Sequence, residues 1–288
     1  MKVGIFSFNT EYTIRPAELA IEAENRGFDS VWFPEHTHIP SGRKTPYPAG
    51  GLLPKEYIHM SDPFISCMAA AQATTTLKVG TGVSLLPQHE PLAMAKTVAT
   101  LDRLTNGRFL YGIGSGWNAD EMENHGAPYE KRWKVLEEHL LAMKELWTKQ
   151  EATFHGEFVN FDKVWSFPKP LTQPHPPIIL GTFGSKWGRQ RVADLADGWV
   201  PIGLFSENME NDIEDLNTRL IENGRKANSV EVSIFSISTP LTPVEELVEY
   251  ADSDLVSRVV ARCPTEDRDS VLKWMDGYAD FVERVTSD

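Results

Sequence analysis

Short apolar segments alternate with amphipathic ones along the whole chain. Eight segments are rich in β-branched or aromatic residues and have the length of buried strands. They are residues 3–8, 29–33, 77–83, 109–113, 177–180, 198–202, 230–237 and 257–262. Helical patterns fall between them, and Pro16–Asn25 shows the expected signals, with a proline at its start and Gly27 after its end.

The helical segments carry apolar residues at the spacing of one buried face. The clearest case contains Trp133, Leu136, Leu140, Met143 and Trp147. Further helices are predicted over residues 91–104, 212–223 and 269–285.

Strands that alternate with helices pair in parallel through right-handed crossovers. Eight such units close into a (β/α)8 barrel of roughly 250 residues. An open doubly wound sheet is the alternative, but it usually carries a GxGxxG motif after its first strand, where this chain has Phe8, Asn9 and Thr10. The pattern therefore predicts an α/β fold, a TIM barrel formed by a single domain over residues 1–288.

Two connections are too long to be simple loops. Residues 36–60 follow the second strand, and residues 150–176 form an insertion before the fifth. Connections beyond about 12–15 residues in a compact domain are usually functional or disordered. The first lies at the mouth formed by the carboxyl ends of the strands, and the aromatic residues of the second predict that it packs over the barrel. Both are predicted to be lid segments.

The composition excludes several kinds of partner and indicates the cellular compartment. Lys and Arg number 28 against 41 Asp and Glu, a net charge of −13, which argues against nucleic acid as a partner. The 2 cysteines, Cys67 and Cys263, cannot build a disulfide framework or a structural zinc site. There is no apolar run of about 20 residues and no signal-like start, so we expect a cytoplasmic protein that acts on a small molecule.

Polar residues at strand ends are the candidates for chemistry, because barrel enzymes build their sites there. Strand 2 runs into Glu35, His36 and His38. A metal-dependent hydrolase would need further histidines and a carboxylate after later strands, whereas the last strand ends in Arg262 and Cys263, so no metal site is predicted. His36 is either a structural histidine or a donor or proton-transfer group beside a cofactor. The second role predicts that His36→Ala reduces ligand affinity or turnover with little change in melting temperature.

Glycine-rich turns follow two other strands. Gly112, Gly114 and Gly116 lack the dinucleotide-binding spacing, and they indicate either a tight bend or a close approach of the backbone to a flat ring. Trp117 is then either core or the wall of a pocket. Residues 181–184 precede a predicted helix whose first amides suit a phosphate, while Lys186 and Arg189 on that helix are either extra cations or a solvated face.

These segments resemble the luciferase-like monooxygenase family of flavin- or deazaflavin-dependent barrels. The matching pieces are GFDSVWFPEH (27–36), KVGTGVSLLP (78–87), EPLAMAKTVATLDRLTNGRFLYGIGSGWNADEM (90–122), PPIILGTFG (176–184) and ADGWVPIG (196–203). The likeness is greatest to the subgroup that uses coenzyme F420, with FMN as the alternative cofactor. The family often forms dimers, so a homodimer is a further expectation.

The resemblance implies roles for particular residues. Glu35 and His36 align with an acidic–histidine pair that assists the reaction, and a cis peptide is implied between Gly82 and Val83. Trp117 stands where related sugar-phosphate dehydrogenases have a proton-donating carboxylate, which argues against their substrates. The pocket for substrate is assigned to Phe6, Tyr47 and Trp117. The residues assigned to cofactor binding are His36, Thr81, Gly82, Val83, Leu85, Gly116, Trp117, Asn118, Gly181, Thr182, Phe183 and Gly184.

The expected function is that of an F420-dependent oxidoreductase, which transfers a hydride between the deazaflavin and a small organic substrate. One alternative is an FMN-dependent monooxygenase on the same barrel. A second, of another class, is a non-catalytic protein that binds a flavin or deazaflavin.

Overall fold

A computed structural model describes residues 1–202, 209–236, 244–251 and 253–286. The strands are β1 (Lys2–Phe6), β2 (Ser30–Phe33), β3 (Lys78–Thr81), β4 (Ser84–Leu85), β5 (Phe109–Gly114), β6 (Ala152–His155), β7 (Asn160–Val164), β8 (Ile178–Phe183), β9 (Gly198–Ile202), β10 (Glu231–Ser236) and β11 (Arg258–Arg262). The helices are α1 (Pro16–Asn25), α2 (Pro63–Gln72), α3 (Pro91–Leu104), α4 (Ala119–Asn124), α5 (Arg132–Thr148), α6 (Lys186–Leu195), α7 (Met209–Glu222), α8 (Val244–Ala251), α9 (Arg268–Asp276) and α10 (Ala279–Thr286).

The parallel strands close into a barrel in the order β3, β2, β1, β11, β10, β9, β8, β5, and β5 pairs back with β3. The closing register places Val79 beside Phe109. The short strand β4 continues β3 along the same edge of β5. This architecture confirms the predicted (β/α)8 barrel.

Most predicted elements lie where the pattern placed them, and the differences have local causes. Helices α1 and α3 have the predicted bounds. The segment 77–83 is not one strand, because a cis peptide between Gly82 and Val83 separates β3 from β4. The helix predicted over 269–285 is two helices, α9 and α10, with Gly277 capping the first. Ile237, the predicted end of the seventh strand, and Gly203, in the ADGWVPIG segment, lie outside the described residues.

Two apolar layers stabilise the barrel. Outside it, α5 packs Leu136, Leu140 and Met143 inward, and all three are 0% exposed. Burial of each large apolar side chain stabilises the fold by about 1.5–3 kcal/mol, so these three contacts hold the helix on the sheet. The barrel interior is filled by a separate cluster made of Phe6, Phe8, Trp32, Leu110, Ile179, Val200 and Val260.

Residues 36–60 cross the carboxyl-terminal mouth of the barrel. The segment is hydrogen-bonded to α4 through Asp120, and Arg262 at the end of β11 donates to Glu56 at 2.5 Å. Met60 forms an isolated bridge with Thr10, which follows β1. These contacts on three sides place the segment where a lid would act.

The insertion 150–176 forms the antiparallel hairpin β6–β7 and a tail that runs along the outside of the barrel. Glu138 of α5 accepts from the amides of Phe158 and Val159, and buried Asp102 of α3 accepts from the amide and hydroxyl of Thr172. Phe161 is buried, whereas Trp165 is 76% exposed. The described contacts therefore attach the insertion to the outer helices, and they give no support to the prediction that it is a lid.

In the part of the chain described, no helix combines the length and the apolar composition needed to span a bilayer.

Candidate functional site

His36 lies at the mouth with both ring nitrogens occupied. Its Nδ1 is 2.5 Å from Oε2 of Glu121, and the indole Nε1–H of Trp117 donates to its Nε2 at 3.1 Å. Because an indole only donates, Nε2 must accept, and the neutral ring therefore carries its proton on Nδ1 and donates it to Glu121. The histidine is thus held in one tautomer and one orientation.

Glu121 is one residue of this site that the sequence prediction missed, and Tyr57 and Gln88, described below, are others. Glu121 is 0% exposed, and its second oxygen accepts from the backbone amide of Thr37 at 3.2 Å. The signal was present in the segment ADEM at the start of α4, but a glutamate in a first helical turn is usually explained by the helix dipole. Only the closed barrel shows that its side chain faces His36, 85 residues away in sequence.

Glu35, predicted to be catalytic beside His36, has a different set of partners. It accepts from the Ser84 hydroxyl at 2.9 Å, from the Leu85 amide at 2.6 Å, and from Nε2 of His89. Burial raises its pKa, but hydrogen bonding and charge from His89, with the other two donors, lower the pKa below its usual value. These contacts tie β2 to β4 and to the turn before α3, so Glu35 fixes the strand ends.

Aromatic rings form the wall of the mouth around His36. The ring of Trp117 is 5.5 Å from that of His36, and Tyr47 and Tyr57 meet with ring centroids 5.4 Å apart. Tyr57 also packs on Phe8 of the barrel interior. Burial raises the pKa of Tyr57, and its hydrogen bond with Tyr47 raises it further, so this phenol stays protonated. The predicted pocket residues Tyr47 and Trp117 therefore share one aromatic cluster.

The end of the third strand is closely packed against its neighbours. A Cβ on Gly82 would lie 3.0 Å from Cε2 of Phe235 and 3.5 Å from Cδ2 of Phe6, so Phe6 lies beneath the Gly82–Val83 peptide. A Cβ on Gly114 would lie 2.7 Å from Cγ2 of Val83. The close packing against Val83 explains why position 114 is a glycine. It supports the interpretation of the glycine motif as a tight bend.

Two side-chain amides near this end are buried without partners. Both polar atoms of Asn118 and both of Gln88 have no hydrogen-bond partner among the described residues. Gln88 lies beside Gly116, at whose position a Cβ would be 3.8 Å from its Nε2. Buried amides normally find partners, and a missing partner costs about 1–3 kcal/mol. This unfilled capacity fits a ligand that offers both donors and acceptors, such as the pyrimidine edge of a flavin or deazaflavin.

The turn predicted to bind phosphate differs in part from the expectation. Gly181, Thr182 and Phe183 belong to β8, so the turn is formed by Gly184 and Ser185 alone. The Ser185 hydroxyl caps α6 by accepting from the Gly188 amide at 3.1 Å.

The charges near that turn oppose a phosphate. Arg189 donates to Asp212 and to Asp215, so its charge is already matched. A Cβ on Gly184 would lie 2.8 Å from Oδ2 of Asp212, which places a carboxylate beside the turn. Lys186 is exposed.

A comparison with known protein families shows the family to which the chain belongs. The family model described as luciferase-like monooxygenase matches residues 1–277. The chain belongs to this family. The family match therefore confirms the resemblance, and relatives in the family are oxidoreductases and monooxygenases that use F420 or reduced FMN.

Relatives with both cofactors are similar to this chain. An uncharacterised protein of Mycobacterium tuberculosis is 42% identical over 203 residues, which cover 69% of this chain and 72% of the relative. The FMNH2-dependent dimethylsulfone monooxygenase of Pseudomonas putida is 30% identical over 66% of this chain, but only 53% of that enzyme is matched. The F420-dependent tetrahydromethanopterin reductase of Methanopyrus kandleri has the same fold, with a TM-score of 0.67, 15% identity, and coverage of 96% of this chain and 97% of its own.

Proposed function

We propose that this chain is an F420-dependent oxidoreductase that transfers a hydride between the deazaflavin and a small organic substrate. The observation that carries the proposal is that two buried amides lack partners among the described residues: Asn118, which follows the Trp117 that bonds to His36, and Gln88, which lies near Gly116. F420, when bound, supplies the carbon that gives or takes the hydride. The likeness of the matching segments to the F420 subgroup favours this cofactor.

In this proposal the chain's own residues orient the reactants and exclude water. Asn118 and Gln88 bind the polar edge of the ring, and Val83 supports its face. Glu121 holds His36 so that Nε2 faces Trp117 and the mouth. Since Trp117 occupies that nitrogen, a substrate that hydrogen-bonds to His36 must first displace the indole.

The aromatic cluster and the segment 36–60 would shield the reacting atoms. Tyr47, Tyr57 and Trp117 contact one another, and Tyr57 and Trp117 also contact the ring of His36. A dry site strengthens the hydrogen bonds that orient the reactants. The tryptophan at position 117, where related sugar-phosphate dehydrogenases have a carboxylate, argues against a sugar phosphate as the substrate.

An FMN-dependent monooxygenase is the second candidate, favoured by the 30% identity to the dimethylsulfone enzyme. The relatives do not favour a non-catalytic binding protein. The deciding experiment is a paired fluorescence titration of the purified protein with F420 and FMN. Binding of F420 at least tenfold tighter than FMN supports the proposal, and comparable or tighter FMN binding overturns it in favour of the second candidate.

A further inference from the structure

We propose that His38, Glu121 and His125 form a binding site for one divalent transition-metal ion such as Zn²⁺, on the outer side of the candidate active site. One ligand atom from each of the three side chains lies within 4.8 Å of the others. Two imidazoles and one carboxylate are a donor set that zinc, nickel and cobalt bind in proteins. The inference rests on this cluster and not on the function proposed above.

The fold brings these residues together from two elements. Glu121 in the first turn of α4 and His125 at its C-cap are four positions apart, a spacing that places two side chains on one face of a helix. His38 comes from the segment after β2, and its ring is 5.5 Å from that of His125. The sequence prediction excluded a metal because it tested His36 with His38 as a hydrolase pair, and neither Glu121 nor His125 follows a strand directly.

The Thr37 hydroxyl lies between the two histidines and would rotate away when an ion binds them. It is 3.0 Å from Nδ1 of His38 and 2.6 Å from Nε2 of His125, so these two nitrogens face each other across it. Asn124 contacts the remaining nitrogen of His38, Nε2, at 2.9 Å. If Nδ1 binds the ion, Nε2 keeps its proton, and the carboxamide of Asn124, turned over, accepts from it, which is the usual support of a metal-bound histidine.

The geometry needs only side-chain rotation. Ligand atoms around a tetrahedral zinc ion lie about 3.3 Å apart, given bonds of about 2.0–2.1 Å. His38 and His125 are exposed and can rotate to close the remaining distance, whereas Glu121 is fixed and buried. Each Glu121 oxygen has a second lone pair beyond its hydrogen bond to His36 or Thr37. Water completes the coordination on the open side.

The site shares Glu121 with His36. A cation on the carboxylate draws electron density from the hydrogen bond that holds the imidazole. Metal binding would therefore change the hydrogen bond between Glu121 and His36, although no metal ligand contacts the cofactor.

The test is calorimetric titration of untagged, chelator-stripped protein with ZnCl₂, repeated with NiCl₂. We expect one ion per chain, and an affinity reduced about tenfold or more in His38→Ala and in His125→Ala, each checked for an unchanged thermal unfolding profile. His155→Ala is the matched control, because His155 is also exposed and lies 3.0 Å from a carboxylate, that of Asp162, in a pair with two ligands only.

Absorption of Co²⁺ added to the same protein gives a second measurement, because tetrahedral nitrogen and oxygen ligands produce intense visible bands. Loss of these bands in both histidine variants and their retention in His155→Ala support the site. The proposal is overturned if wild-type protein binds no ion stoichiometrically, if either histidine variant binds as wild type does, or if the control loses affinity equally.

Discussion

Trp117 and Glu121 are four positions apart and occupy the two ring nitrogens of the same histidine. The indole donates to Nε2 of His36 at 3.1 Å, and Nδ1 donates to the Glu121 carboxylate at 2.5 Å. The segment WNADE therefore supplies both the aromatic wall and the group that orients His36. Glu121 contacts the imidazole at Nδ1, the nitrogen opposite the one that Trp117 occupies, so this buried carboxylate orients His36 and does not replace the carboxylate missing at position 117.

This arrangement changes what we expect of His36→Ala. The strand-end position alone predicted little effect on melting temperature. In the structure the substitution leaves a buried carboxylate short of one partner, so we expect a loss of about 1–3 kcal/mol in stability as well as weaker ligand binding. His36→Gln, which can still donate to Glu121, should recover most of the stability but not the turnover. Thermal unfolding and F420 titration of both variants check this, and equal stability of His36→Ala and wild type would contradict it.

Glu121→Gln should lower turnover more than cofactor affinity. The amide keeps an acceptor for one neighbour but no longer holds the protonated Nδ1 of His36 with a full negative charge. We expect kcat to fall about tenfold or more with F420 affinity within a few fold, the pattern of a positioning residue. Glu123→Gln, an exposed change on the same helix, is the control and should have neither effect. A fall in affinity with unchanged kcat would contradict the positioning role.

The pair Glu35–His89 makes stability depend on pH. Burial lowers the pKa of His89, but its hydrogen bond and charge interaction with Glu35 raise it above 6.5 overall, while the pKa of Glu35 lies below 4.5. A raised histidine pKa stabilises the fold below the unfolded value and loses this contribution as pH rises through the folded value. The lowered carboxyl pKa stabilises above the unfolded value and loses its contribution as pH falls. The pair therefore contributes most between about pH 4.5 and 6.5.

His89→Gln tests this window. The difference in urea midpoint between wild type and variant should be larger at about pH 5.5 than at about pH 8.5, where only a neutral hydrogen bond is lost. His59→Gln, an exposed partner of Glu11, is the control, and its difference should stay small at both values. A difference that grows toward alkaline pH would show that Glu35 and His89 do not form a charged pair.

Asp120 fixes the segment that crosses the mouth. Its carboxylate accepts from the amides of Lys44 and Thr45 and from the Thr45 hydroxyl, and these bonds lower its pKa to about 2. Asp120→Ala should speed hydrogen exchange at the two amides while the strand amides of the barrel stay protected. Asp162→Ala, on the hairpin, serves as the control. Unchanged exchange at Lys44 and Thr45 would mean that other contacts hold the segment.

The barrel could be predicted from the sequence because its signals are local. The eight barrel segments and most helices show a local periodicity, whereas β6 and β7 of the insertion were not predicted. Helices α1 and α3 also carry prolines at their start. The site could be predicted only in part. His36, Trp117 and Asn118 follow strands directly, whereas Glu121, Gln88 and His125 reach the mouth from helices or helical turns. Their placement depends on how α4 and the turn after β4 pack, and no short-range pattern encodes that.

The turn that was predicted to bind phosphate shows how tertiary contacts can remove a site that a local pattern predicts. A glycine turn before a helix is a sound local signal for an anion site. The aspartates that neutralise Arg189 come from α7, more than twenty residues later. The prediction therefore missed both the extension of β8 to Phe183 and the tertiary contacts that set the charge at this turn.

Gln88 offers the sharpest test of the cofactor site, because its buried side-chain amide forms no hydrogen bond with the described residues. Replacing it by methionine, of similar length, removes a buried group without partners, so stability should stay equal or rise by up to about 1–3 kcal/mol. The same change should weaken binding of F420 or FMN, since the amide can no longer bond to the ring edge. Asn9→Leu is the opposite control, because the Asn9 amide donates to Ser66 Oγ at 2.5 Å and its loss should destabilise the chain. Urea unfolding and cofactor titration on both variants separate the two roles. A Gln88→Met protein that is less stable yet binds cofactor normally would assign Gln88 to the fold. The polar edge of the ring would then have to be bound by Asn118 alone.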